Sequence, residues 1–200
     1  MKTKNFLLTG ALLIVALFSV NGVMAEGPSD YLSNRVSSDA VTVNLKFAPI
    51  QSIQVNPSQK TVDFEYSSPG DYMNGLGEKI QTFDDHLTVY HSGGFQVKVQ
   101  SSGFLNSDNL LYETEDHVTI TATNGTDNNR NNYTFVDNFS LNKKEASTFI
   151  TSPGGGMGLK FDVAYTHNDS EANRAKYIDL TTGLVETVYT ADVTYTIVSQ

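Results

Sequence analysis

The side chains able to support chemistry in this chain are few and poorly grouped. Histidine comes first, because neutral imidazole ligates metals and carries protons near neutral pH. The four present, His86, His91, His117 and His167, never fall at the i and i+2 spacing that puts two rings on one face of a strand. Each is expected in a turn or at the surface, and no metal site is expected. Asp84-Asp85-His86 sets carboxylates beside an imidazole, but strand neighbours point to opposite faces. The triplet reads as a polar loop entering a strand. Ser140-Leu141-Asn142-Lys143 has the Ser-x-x-Lys spacing of some acyl-transfer enzymes. That motif works at a helix start, with Lys one turn beyond the nucleophile. Here it closes a strand-like run without companion motifs.

The loops offer little more. Pro153-Gly154-Gly155-Gly156-Met157-Gly158 lacks the Lys-Ser/Thr ending of a phosphate loop and precedes a strand, so it reads as a flexible connection. Asp127, Asn129 and Asn131 alternate like the opening of a calcium loop. The turn glycine and the closing bidentate Glu are missing, which favours an exposed Asn-rich loop. Sequons at Asn124, Asn132, Asn138 and Asn168 fit exposed positions. Tyr72 and Tyr112 are the aromatic residues outside the strand alternation, and there is no Trp to serve as a sugar platform. With no cysteine, thiol catalysis and thiolate metal sites are excluded. No catalytic residue, cofactor or metal is expected, and the chain is not read as an enzyme.

What these residues sit on is an exported chain. Lys2 and Lys4, the apolar stretch from Phe6 to Val20, and Val23-Met24-Ala25 have the three parts of a secretory signal, with cleavage expected after Ala25. The apolar run is short for a bilayer span, so no stable membrane insertion is expected after cleavage. Residues 26–40 read as a flexible leader rich in Ser and Asp, and 41–200 as one domain. The expected location is secreted or at the cell surface. The signal carries two lysines and no acid, leaving 11 basic against 22 acidic residues and a formal charge of −11. A nucleic-acid partner needs a basic patch to displace counterions, and none is present.

Alternation supplies the architecture. Val41, Val43, Leu45 and Phe47 share one face of a period-two run that ends before Pro49. Strands are expected over Ile50–Val55 and Thr61–Tyr66, then a loop from Ser67 to Gln81. A hairpin, Leu87–Tyr90 with Phe95–Val99, is expected around His91-Ser92-Gly93-Gly94. Further strands follow at His117–Thr123, Tyr133–Leu141, Thr148–Thr151, Leu159–Thr166 and Tyr189–Ile197. Ser170–Tyr177 alone suggests a helix, capped by Ser and two turns at most. The sum is all-β, a single immunoglobulin-like β-sandwich.

The layout from Ala40 to Pro57 resembles the N-terminus of the cysteine-free major subunits of chaperone–usher-type fimbriae. Val41, Val43, Leu45 and Phe47 match the alternating extension, Pro49 the break, and Ile50–Val55 the first domain strand. The run Leu87 to Leu105 and the alternating C-terminal strand have a similar cadence. The resemblance implies a sandwich lacking one strand, completed by the extension of a second copy. It makes Val41, Val43, Leu45 and Phe47 the donor residues of a subunit interface. The partners implied are copies of the chain in a head-to-tail polymer, and a periplasmic chaperone. The alternative is a self-contained secreted or cell-surface sandwich, an adhesin or carbohydrate-binding module, with Val41–Phe47 as its own edge strand.

Overall fold

Period-two sequence becomes two antiparallel sheets with the apolar positions between them. The computed structural model describes residues 38–106, 116–126, 128, 132–142, 144–181 and 186–200. In chain order the elements are β1 Gln51–Val55, α1 Pro69–Asn74, β2 Ile80–His91, β3 Phe95–Ser101, β4 Val118–Asn124 and β5 Thr134–Phe135. They continue with β6 Phe139–Ser140, β7 Ser147–Ser152, β8 Gly156–His167, α2 Glu171–Leu180 and β9 Val193–Ser199. One sheet runs β1-β2-β8-β4-β6 and the other β5-β7-β3-β9. The fold is an all-β sandwich. The chain forms two compact units, residues 1–45 and 46–200. In the first, the described residues 38–45 are neither helix nor strand; every element just named lies in the second.

The core is aromatic and aliphatic. Phe95, Phe149, Phe161, Leu87, Ile120 and Ile150 are fully enclosed. Phe161 of β8 reaches across to the other sheet, with its ring centroid 6.5 Å from Phe95 and 6.2 Å from Phe135. Tyr133 meets it edge-on at 5.1 Å. Edge contacts of this kind add to plain area burial, which makes Phe161 a cross-sheet rivet.

Several elements depart from the sequence expectation, each for a local reason. The expected hairpin is not one: β2 pairs with β1 and β8, while β3 pairs with β7 and β9. The chain arches from one sheet to the other over Ser92–Gly94, and alternation alone does not separate a pairing neighbour from a facing one. The Ser67–Gln81 loop contains α1. Ser68 caps it by accepting from the Asp71 amide, Asp71 closes the capping box, and Pro69 starts the first turn. Tyr133–Leu141 is two short strands in different sheets, interrupted at Asn138, whose φ is +54°. The helix at Ser170 forms with that Ser as its cap, but it runs ten residues rather than two turns. Gly156 to Gly158 open β8 instead of forming a flexible link. Thr61–Tyr66 alternates exposed and half-buried residues as expected, yet is assigned no strand.

Replacing Phe161 with Ala is expected to cost about 3–5 kcal/mol, the usual range for emptying a buried aromatic site. Urea unfolding of Glu26–Gln200 measures it; a loss under about 1 kcal/mol would mean that Phe161 does not join the sheets.

Candidate assembly edge and donor face

The feature of this molecule best suited to recognition is a strand edge, and it can be built from backbone parity. Flanking β9 at its two ends, Gln200 donates to the Gly94 carbonyl, and the Asp192 and Thr190 carbonyls accept from Ser102 and Leu105. Even-numbered residues from 190 to 200 therefore aim their backbone at β3 and its extension. Odd-numbered residues must aim theirs the other way, because backbone direction alternates along a strand. Among the described residues, β9 has no strand partner on that outer side. The same odd residues turn their side chains inward: Val193 and Tyr195 are half-buried and Ile197 is buried. An apolar face thus lies behind an open row of donors and acceptors. That combination recruits other strands unless it is blocked.

A second extended stretch also lacks a ladder. Val62 and Phe64 pack against the core while remaining partly exposed. The backbone around them is tied by side chains. Gln81 donates Nε2 to the Asp63 carbonyl at 2.6 Å, and Gln59 donates Nε2 to the Asp84 carbonyl at 3.0 Å. The proline turn at Asn56–Gln59 has lifted this stretch out of register after β1.

The four residues singled out from the N-terminal alternation are the most exposed apolar side chains of the described chain. Val41, Val43, Leu45 and Phe47 are 80 to 89% exposed. Residues 38–50 carry no helix or strand. Scattered exposed apolar residues need no explanation, but four in strict alternation form a face.

Beneath the edge runs a polar chain, buried at His86 and Tyr165 and half-buried at Gln59 and Tyr195, that the sequence reading missed. His86 Nε2 lies 3.2 Å from the Tyr165 hydroxyl, which lies 3.1 Å from the Tyr195 hydroxyl. On its other side His86 Nδ1 meets Gln59 Oε1 at 3.1 Å. All four histidines are buried, 2 to 8% exposed, which corrects their expected placement in turns or at the surface. The physical reason is that each has a polar or aromatic partner inside. His91 bonds the Gly93 carbonyl and Ser199, His117 the Tyr177 hydroxyl, and His167 the Tyr66 hydroxyl and the His117 carbonyl. Asp84-Asp85-His86 is likewise no loop but an irregularity inside β2. There Asp85 takes φ +51° and accepts from the Thr126 amide and hydroxyl and from Lys160. Burial pushes His86 down to about 4 and lowers His117 and His167 as well.

At the α2 end of the sandwich Asp169 organises a second cluster. Its carboxylate accepts from the Tyr66 hydroxyl at 2.6 Å and the Leu76 amide at 2.8 Å, and lies 3.1 Å from Lys79 Nζ. Burial alone would raise this carboxyl; the Tyr66 and Lys79 bonds and the Leu76 amide outweigh it and hold it below the usual range. Gly75, at φ +89°, leaves the room, since a Cβ there would collide with the carboxylate. The cluster pins the Ser67–Lys79 excursion, and it has the fully bonded form of a structural node. Tyr72 borders an open hollow of about 420 Å³ with Pro69, Met73 and Ile178, and the polar side chains there are Ser67, Ser68 and Thr181.

The remaining sequence candidates do not converge. Ser140 is buried in β6 and bonded to Asp116, while Lys143 lies outside the described residues. Asp127, Asn129, Asn131 and Tyr112 also lie outside them, as do residues 1–25, the expected signal, and residues 26–37 of the expected leader. Asn124, Asn132, Asn138 and Asn168 are all exposed. Among the described residues there is no group of three or more potential metal ligands, and no helix is long and apolar enough to cross a membrane. No family model, curated protein or solved structure matches the chain.

The histidine burial carries a pH signature. The folded state holds His86 at about 4 against an ordinary 6.5, so the unfolded state binds more protons between those values. Stability must then fall as pH drops through that window, by about 3 kcal/mol from His86, with His117 and His167 adding in the same direction. The depressed carboxylates Asp71, Asp85 and Asp169 act mainly below their ordinary 3.8 and begin only below about pH 5, so the loss above that point belongs to the histidines. Thermal unfolding at half-unit steps from pH 7 to 4 should show the loss, and His86→Gln should flatten it. An equal slope in wild type and variant would remove His86 as the cause.

Proposed function

We propose that this chain is an exported structural subunit of a surface fimbria or filament, assembled by strand donation between copies. The observation that carries the reading is the exposed alternating face of Val41, Val43, Leu45 and Phe47, in a chain whose β9 edge is open over an apolar floor. Each half is what the other lacks: one has apolar side chains and backbone without a sheet, the other a sheet edge without a neighbour. β-Augmentation joins such parts through main-chain bonds, with alternate side chains giving specificity. Burying four side chains of this size contributes roughly 6–12 kcal/mol before ordering costs are subtracted.

In this reading the sandwich is immunoglobulin-like and completed in trans, as in the cysteine-free chaperone–usher subunits that the N-terminal layout resembles. The partner is the next copy of the chain. A periplasmic chaperone would shield the edge before assembly, because an uncovered edge of this kind aggregates. The absence of cysteine fits, since no disulfide in this chain staples the fold and the missing stability comes from the donated strand. Export through residues 1–25 places the filament outside the cytoplasm.

The mature chain Glu26–Gln200 is expected to form filaments or a ladder of oligomers on size exclusion. A chain starting at Ile50 should remain unassembled and melt at lower temperature. A synthetic peptide covering Ser38–Pro49 should restore its stability, and one carrying Val43→Asp and Leu45→Asp should bind at least about a hundredfold more weakly, since each charge would be desolvated against an apolar floor. A mature chain that stays a monomer and unfolds cooperatively would overturn the filament and favour a closed surface adhesin or carbohydrate-binding module.

A further inference from the structure

The open edge is not uniform along its length. The inward-facing residues Tyr189, Ala191, Val193 and Tyr195 are each half-buried, whereas Ile197, next in the same series, is enclosed. At that residue the outward carbonyl already has a partner. Gln51 donates its Nε2 to the Ile197 carbonyl at 2.9 Å. The amide is itself held: Gln51 Oε1 accepts from Ser199 Oγ at 3.1 Å, and that hydroxyl lies 3.2 Å from His91 Nε2. Gln51 stands opposite His91 in the β1–β2 ladder, so two strands of one sheet carry a side chain that occupies a ladder site on the edge of the other. A primary amide has the same donor and acceptor as a peptide group, and here it stands where a neighbouring strand would.

We propose that Gln51 is a register stop for the incoming strand; this rests on the strand-donation reading above. The stop ends the usable edge before Ile197 and confines the donor to the positions of Tyr189, Ala191, Val193 and Tyr195. Those four inward positions equal in number the donor residues Val41, Val43, Leu45 and Phe47. Register needs such a device. A slip of one residue is prevented by the pleat itself, because it would turn every apolar donor side chain to solvent. A slip of two residues keeps the parity and is not prevented that way. Sliding two residues toward the C-terminus would require the donor backbone to take the Ile197 carbonyl away from Gln51. Gln51 is a positioning residue, exposed on its own strand, so its substitution leaves the core intact.

Hydrogen exchange on the mature chain Glu26–Gln200, comparing unassembled with assembled fractions, tests this. In the wild type, assembly should slow the amides of Ala191, Val193 and Tyr195 by about a hundredfold or more, as ladder bonds do, with no added protection at Ile197. In Gln51→Ala the protection should extend to Ile197, and Gln51→Glu, which keeps the shape but not the amide donor, should behave like it. Both variants should melt close to the wild type. New protection at Ile197 in the wild type, or variant footprints identical to the wild type, would overturn the stop and leave strand donation standing. Assembled material without new protection anywhere from Ala191 to Ile197 would overturn strand donation at this edge.

Discussion

An edge strand leaves half of its backbone groups facing away from the sheet, and in β9 those groups stand in front of half-buried apolar side chains. Water can satisfy the backbone there but not the apolar floor. A neighbouring strand would satisfy both together. Much of the molecule can be understood from that constraint. β1 lies against one end of this edge, where Gln51 bonds the Ile197 carbonyl and the Ser199 hydroxyl, and the chain after β1 does not continue the ladder. Among the described residues, the edge is therefore closed at one end and has no strand beside it along the rest.

The polar chain beneath the edge bears on the same constraint. A Tyr–Tyr–His–Gln series with His86 and Tyr165 buried at its middle is favourable only while those two stay bonded, because either one unpaired would carry its full desolvation cost. Tyr195 belongs both to this chain and to the open edge. Its hydroxyl fixes the height of β9 above β8, and its backbone points outward. Side-chain bonding inside the sandwich thus holds the edge in place without using any of the edge's own ladder sites. The Asp169 cluster does comparable work at the α2 end, where it fastens the Ser67–Lys79 excursion with a carboxylate, a lysine, a tyrosine hydroxyl and a backbone amide.

Much of this was legible in the sequence, and the failures share a cause. Alternation locates most of the strands, because a half-buried strand writes its inner face into every second residue: Phe161, Val163 and Tyr165 share a face in the sequence pattern and share the inner face of β8. Ser170 announced its helix. Alternation carries no information about which strand lies beside which, so the Leu87–Val99 pair looks like a hairpin in sequence although its members lie in facing sheets. It also weighs histidine as polar, so in sequence His86 reads as part of a loop. The signal that would have found it is the company it keeps, since Tyr165 and Tyr195 both sit at inward positions and their hydroxyls need a buried partner. Gln51 left no sequence trace, because its role depends on a strand 146 positions away.

The composition gives the assembly reading its energetic logic. A cysteine-free domain has only its packing to rely on, and among the described residues β9 has no strand on its outer side. Closing that edge in cis would give a stable monomer with no means of polymerising. Closing it with another copy, as proposed, would make the same apolar area serve folding and association at once, so that a subunit would reach full stability only in the assembly. Such a design places its strictest demand on register. Parity excludes odd slips at no added cost, but even slips differ only at the ends of the pairing, where a single bonded amide decides between them. The position of Gln51, at the point where the inward residues of β9 pass from half-buried to enclosed, is where such an amide would have to stand.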